Sequence, residues 1–155
     1  MEINQLAPLD LMVKNAAGEA VSLRSLLGKF VVLYFYPKNF TPGCTTEACT
    51  FRDANDELKA LGAVVIGVSK DSPESHQKFS KEHRLNFTLW SDQKGELLEA
   101  CGALGQKSMF GKTFLGIKRM TIILNPQGKV LKIYDKVKPE SHPDEVLTYL
   151  KSQLK

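Results

Sequence analysis

Phe30-Val-Val-Leu-Tyr-Phe-Tyr36 and Ala63-Val-Val-Ile-Gly-Val-Ser69 are the two stretches whose reading decides the fold. Each is a continuous β-branched and aromatic run, the composition of a strand buried on both faces. Between them Phe51, Ala54, Leu58 and Leu61 recur at intervals of three, four and three, which is one face of a helix. Gly62 follows where a helix end favours a positive φ. Residues 30–69 therefore read as strand, helix, strand, a parallel pair joined by a right-handed crossover.

Downstream, Asp71-Ser72-Pro73-Glu74 combines a polar N-cap, a first-turn proline and an early acid, so a second helix is expected through Phe79 towards His83. Asn86–Trp90 reads as a short strand and Glu96–Cys101 as a short helix closed by Gly102. Residues 102–118 show little periodicity. Met120–Leu124 and Lys129–Tyr134 flank Asn125-Pro-Gln-Gly128, with proline and glycine in the favoured second and fourth positions of a turn, so an antiparallel hairpin is expected. Ser141 with Asp144 resembles a capping box ahead of a last helix striped by Val146, Leu147, Leu150 and Leu154. Val13 to Leu23, around Asn15 to Gly18, reads as a second, more exposed hairpin. This element order is that of an α/β thioredoxin-like fold, a central mixed β-sheet flanked by helices with an N-terminal β-hairpin extension. No linker or repeat interrupts it, so residues 1–155 are expected to form a single domain.

The 155 residues carry 21 basic and 17 acidic side chains, a net charge of +4. The signs alternate, as in Lys78, Lys81, Glu82 and Arg84, and nucleic-acid binding, which needs clustered basic residues, is not expected. The run Phe30–Tyr36 falls far short of the ~20 residues of a membrane helix. The first twelve residues hold Glu2 and Asp10, no basic residue and no sustained apolar stretch, so no secretory leader is read and a cytoplasmic protein is expected. Three cysteines are too few, and of the wrong parity, for a secreted disulfide framework.

Chemistry concentrates in Pro37-Lys-Asn-Phe-Thr-Pro-Gly-Cys-Thr-Thr-Glu-Ala-Cys49, which places Cys44 in the first turn of a helix. Unpaired N–H groups and the helix dipole favour an anion there, hence the thiolate. Ionisation alone adds only about thirtyfold to the nucleophile concentration at neutral pH, so a fast thiol catalyst also needs donors that orient its substrate and stabilise charge building on the departing atom. Gly43 allows close backbone approach, the amides of Gly43 and Cys44 can face a substrate, Thr41 supplies a hydroxyl, and Pro37 and Pro42 stiffen the loop. The competing reading makes Cys44 a buried packing residue, Thr41 an N-cap and Gly43 a turn glycine.

Cys49 follows five residues on. In an intact helix its Cα lies about 8.6 Å from that of Cys44 and about 140° round the axis. A disulfide needs Cα atoms within ~7 Å, so pairing requires the first turns to unwind; otherwise Cys49 is a half-buried helix cysteine.

The string YPKNFTPGCTTEACTFRD, residues 36–53, resembles the active-site segment of the bacterioferritin-comigratory or Q-type peroxiredoxins, an atypical two-cysteine group. Pro37, Thr41 and Cys44 match the P-x-x-x-T-x-x-C signature, and Cys49 matches the subgroup's resolving cysteine. GKTFLGIKRMTIILNPQGKV, residues 111–130, resembles the family's second signature and places its arginine at Arg119. The resemblance implies a thiol-dependent peroxidase acting on hydrogen peroxide and organic hydroperoxides. Cys44 becomes a sulfenic acid, Cys49 resolves it as a disulfide, and a thioredoxin-like or glutaredoxin-like donor reduces the pair. Thr41 and Arg119 take catalytic roles and Pro37 and Gly43 contact substrate. No metal, no organic cofactor and no membrane is implied, and the enzyme is expected as a monomer or weak dimer. Arg52, eight residues into the helix, is expected at the surface, as are His76, His83 and His142, which lack ligand spacing. Cys101 lies outside both motifs and is expected to pack. A general thiol-disulfide oxidoreductase is the alternative, weakened because the two cysteines are separated by four residues rather than two. A binding module with structural cysteines is the third reading.

Overall fold

A computed structural model describes residues 1–154, excluding the side chains of Lys107, Met109 and Phe114. Its centre is strand β3 (Phe30–Phe35), preceded by a hairpin of β1 (Val13–Asn15) and β2 (Ala20–Val21) and a 3-10 turn at Leu23–Leu26. After β3 come helix α1 (Pro42–Ala60), β4 (Ala63–Ser69), α2 (Pro73–His83), β5 (Thr88–Ser91) and α3 (Glu96–Ala100). Then follow β6 (Leu104–Met109), β7 (Lys112–Ile117), β8 (Met120–Leu124), β9 (Val130–Tyr134) and α4 (His142–Gln153). Seven strands form one mixed sheet in the order β2-β1-β5-β4-β3-β8-β9. β3 lies parallel to β4 and antiparallel to β8, so the strand, helix, strand unit read from the sequence is at the heart of the sheet.

The period of two along β3 divides the core. Val31, Leu33 and Phe35 join the cluster that includes Leu23, Trp90, Leu97, Leu98 and Cys101. Val32, Tyr34 and the following Tyr36 join the cluster beneath α1, α2 and α4, with Phe51, Leu58, Phe79, Val146 and Leu150. Both faces of the strand are thus packed, as a continuous apolar run requires. Tyr34 and Phe51 stack with ring centroids 4.7 Å apart, which fixes α1 on the sheet. Residues 4–7 lie against residues 128–130, where the chain enters β9, with Asn4 N–H donating to Val130 O and Ala7 N–H to Gly128 O, each within 2.9 Å.

Two sequence expectations need correction. Residues 102–118 are not irregular: β6 and β7 pair in register from Leu104 opposite Ile117 to Met109 opposite Lys112. Gln106, Ser108, Lys112 and Thr113 are exposed, so the described side chains of this hairpin impose no apolar period. The capping box is also absent: Ser141 makes no side-chain cap, and its carbonyl takes the Asp144 amide instead. At α2, by contrast, Ser72 Oγ does accept the Ser75 amide at 3.1 Å. Among the described residues no helix is long and apolar enough to cross a membrane.

Candidate active site

β3 delivers the chain to the site and α1 carries it away. Cys44 is the third residue of α1 and 1% exposed. The first intrahelical bond runs from Thr45 N–H to Thr41 O, so the amides of Gly43 and Cys44 have no acceptor among the described residues. They form a small positive cradle at the sulfur.

The second wall comes from the junction of β7 and β8. Arg119 Nη2 donates to Cys44 Sγ at 3.3 Å, and Nη1 donates to Glu47 Oε1 at 2.7 Å. The fork of one guanidinium therefore joins two side chains three residues apart on the same face of α1. A Cβ added at Gly43 would stand 3.1 Å from Arg119 Nη2, so the glycine makes room for the arginine. This refines its expected part, since the close approach is by a side chain as well as by any substrate.

Glu47 was not singled out from the sequence, although its i+3 spacing from Cys44 was available. It is fully buried, and its second oxygen, Oε2, has no hydrogen-bond partner among the described residues. Burial pushes its carboxyl up to about 7, against the lowering pull of Arg119. Arg119 itself is drawn down by burial, but Cys44 and Glu47 outweigh this and hold it above its ordinary value. The guanidinium is the fixed charge of the site.

Thr41 is the N-cap of α1 by backbone position, but its hydroxyl donates to Lys38 O at 2.7 Å rather than capping the helix. Among the described residues no donor reaches its lone pairs, which can accept from a substrate. Pro37, two residues beyond the end of β3, is half-buried and starts the loop. Within that loop Phe40 holds φ at +65°, an uncommon conformation for a bulky residue. Two anchors hold it there. The Phe40 ring meets Phe79 edge-on at 5.2 Å, and Asn39, 2% exposed, donates its amide to Asp71 Oδ2 at 2.9 Å.

Asn39 belongs to a buried polar network that overturns the expected surface position of His76. His76 is fully buried; its Nε2 lies 3.0 Å from Trp90 O and its Nδ1 2.9 Å from Asn39 Nδ2. A carbonyl can only accept, so Nε2 carries the proton and Nδ1 accepts from the amide. Tyr36 hydroxyl completes the set on Asn39 Oδ1 at 2.6 Å. Neutral imidazole is the form that fits. His142 is buried too, with Nε2 2.7 Å from Thr121 Oγ1 and Nδ1 2.5 Å from Glu145 Oε1. His83 is partly exposed.

Cys49 lies in the same unbroken helix as Cys44, half-buried, and all three cysteines are free thiols. Arg52 is not simply a surface residue. Its Nη1 donates to His83 O at 2.7 Å and approaches Cys49 Sγ at 3.7 Å. Cys101 is 1% exposed beneath the opposite face of the sheet, and burial pushes its thiol up to about 12. An arrangement of this kind can hold a thiolate on a helix end and offer a fixed cation to an oxygen approaching it.

Residues 3–133 match the AhpC/TSA family. The chain is 48% identical over 151 residues to the peroxiredoxin Bcp of Bacillus subtilis, covering 97% of this chain and 96% of that protein. It is 45% identical over 134 residues to the peroxiredoxin Bcp of Escherichia coli, covering 86% of each. Among solved structures it is similar to the bacterioferritin comigratory protein of Xanthomonas campestris, described for its alkyl peroxide reduction activity. That similarity has a TM-score of 0.92 at 40% identity over 97% of this chain and 98% of that one. The peroxidoxin BcpB of Mycobacterium tuberculosis is similar at a TM-score of 0.85 and 31% identity, covering 98% and 97%.

Proposed function

The chain belongs to the AhpC/TSA family and is a peroxiredoxin, a thiol-dependent peroxidase with a peroxide substrate and a thiol reductant; from that premise we propose which residues do the work. Cys44 is the attacking thiol. Its sulfur takes the terminal oxygen of the hydroperoxide, the O–O bond breaks, and the alkoxide or hydroxide leaves as alcohol or water once protonated. Arg119 and the amides of Gly43 and Cys44 stabilise the charge on the departing oxygen, and Thr41 accepts from the peroxide O–H. Pro37 holds the loop that carries these groups. The observation that carries this reading is the Arg119 fork, which places a permanent cation 3.3 Å from the Cys44 sulfur. Full ionisation of a thiol supplies only about thirtyfold, about 2 kcal/mol, so preorganised donors must supply most of the acceleration.

In the second half of the cycle Cys49 attacks the Cys44 sulfenic acid, an S–S bond forms and water leaves. A thioredoxin-like or glutaredoxin-like dithiol then returns both thiols. Hydrogen peroxide and organic hydroperoxides are both substrates, because the cradle reads the O–O group and not the remainder of the molecule. The whole chain works as one catalytic domain, a monomer or weak dimer, in the reducing cytoplasm that its three free thiols suit. One equivalent of peroxide, followed by thiol titration and mass mapping, tests the scheme. Two thiols are expected to vanish together as a Cys44–Cys49 bridge; sustained turnover by Cys44→Ser overturns it.

A further inference from the structure

Arg52 contributes an arrangement that the cycle above does not use. It lies three residues after Cys49 on α1, with its guanidinium Nη1 3.7 Å from the Cys49 sulfur. The group is pinned there by the carbonyl of His83, at the C-terminal end of α2, 2.7 Å away. The backbone of the same turn is stapled to the same segment: Asn86 Nδ2 donates to Arg52 O at 3.1 Å, and Asn55 Nδ2 to Asn86 O at 2.9 Å. Unwinding of α1 from its N-terminus therefore meets a fixed turn just beyond Cys49. Cys44 is the sulfur that travels, and Cys49 is the target that stays.

We propose that Arg52 is the positioning residue of the resolving step, holding the Cys49 sulfur against a fixed cation so that it meets the incoming sulfenic acid in place and with its negative charge offset. The proposal rests on Cys49 being the resolving cysteine. In the step, the Cys49 sulfur attacks Cys44 Sγ, the S–S bond forms as the S–OH bond breaks, and the leaving hydroxide takes a proton to become water. Sulfur attacks as the anion, so a cation that cannot lose its proton serves every turnover. Asp53, which accepts from Arg52 Nε at 3.0 Å, is 68% exposed and leaves the Nη1 side of the guanidinium to Cys49 and His83. The pairing repeats, one turn and a half along the helix, the relation of Cys44 to Arg119.

A purely structural arginine predicts the opposite result from a positioning one. If Arg52 only staples α1 to α2, its removal eases unwinding and speeds disulfide formation. If it serves Cys49, its removal slows that step and leaves the sulfenic acid waiting for a second peroxide. Arg52→Gln and Arg52→Lys are to be compared with the unaltered chain by rapid quench, counting sulfenic acid, disulfide and sulfinic acid by mass, with the rate of Cys44 oxidation reporting an intact site. About tenfold slower disulfide formation is expected in Arg52→Gln, with a matching rise in sulfinic acid and an intermediate value in Arg52→Lys. Unchanged or faster disulfide formation overturns the proposal. Cys49→Ser separates the premise: persistent sulfenic acid supports it, whereas a disulfide formed without Cys49 removes the premise and the proposal with it.

Discussion

Arg119 and Cys44 are 75 residues apart in sequence, yet Nη2 of the one donates to the sulfur of the other at 3.3 Å, while Nη1 of the same guanidinium binds Glu47, one turn further along α1. A single side chain thus fixes both the sulfur and the helix that presents it. Arg119→Met removes fork and charge together, and the second-order rate of Cys44 oxidation is expected to fall on the order of 10²- to 10³-fold, the cost of losing one preorganised donor in comparable sites. Arg119→Lys retains the charge without the fork and should lie between. Stopped-flow peroxide consumption measures both, and an unchanged rate in Arg119→Met would remove the arginine from the chemistry.

Gly43→Ala separates stability from activity. Its methyl group would sit 3.1 Å from Arg119 Nη2 and displace the guanidinium by a few tenths of an ångström. Alanine in a first helical turn is also a better helix former than glycine by up to about 1 kcal/mol. The variant is expected to be no less stable on heating but about tenfold slower with peroxide. A slower and less stable variant would mean that the methyl group disrupts the helix rather than the cradle.

Glu47 gives the site a pH dependence of definite sign. Its folded carboxyl is raised from 4.5 to about 7 by burial, so between those values the folded protein binds more protons than the unfolded chain. Stability from this group is complete below about 4.5 and lost as pH rises through about 7. Glu47→Gln should flatten that part of the profile and retain an acceptor for Arg119. Thermal unfolding from pH 4.5 to 8 tests this, and identical slopes in the two proteins would contradict it.

His76 acts in the opposite direction. Burial lowers it below its ordinary 6.5, countered by Asp71 and by the Trp90 carbonyl. Its folded value is depressed, so its contribution is present above pH 6.5 and lost as pH falls through the lowered value. A proton on Nδ1 also confronts the Asn39 amide, which holds the loop before Cys44. The groups that face His76 are the Tyr36 hydroxyl, the Asn39 amide, the Trp90 carbonyl and the Asp71 carboxylate, and of these only Asp71 carries a charge that offsets a proton on the ring. Cys44 oxidation is therefore expected to slow in mild acid together with thermal stability, and His76→Gln should weaken that link. His142 is lowered for the same reason, so part of the acid slope will persist.

Cys101 should be a bystander. Its thiol, buried and pushed up to about 12, offers neither access nor nucleophile at neutral pH. Cys101→Ser is expected to turn over peroxide at the unaltered rate while losing up to a few kcal/mol of stability through burial of a hydroxyl. A Cys101 bridge in the oxidised protein would show that this side of the sheet opens.

The strand, helix, strand centre was legible because burial on both faces writes an unbroken apolar run, as in Val31 to Tyr36. The β6–β7 hairpin was not, because residues such as Gln106 and Thr113 meet solvent and impose no period. Cys44 stood out through its position on a helix end. Arg119 came from the resemblance of a whole segment, since no local pattern tells a strand-entry arginine what lies across the fold. Glu47 had a local signal in its spacing but no stated partner. His76 and His142 were misread because burial of a polar ring depends on hydrogen-bond partners remote in sequence, here the Trp90 carbonyl for His76 and the Thr121 hydroxyl for His142.

One consequence follows from Cys44, Glu47 and Ala48 sharing the first turns of α1, each at most 1% exposed. In the proposed cycle, unwinding of the helix end to let the two sulfurs meet would carry Glu47 away with Cys44, and the Arg119 fork would lose both partners at once. On that scheme the oxidised enzyme would be not a plugged copy of the reduced one but a different outline, with the apolar surface around Ala48 uncovered where the cradle stood. A reductant could then tell the two forms apart by shape, engaging the unwound face and being shed as the helix re-forms.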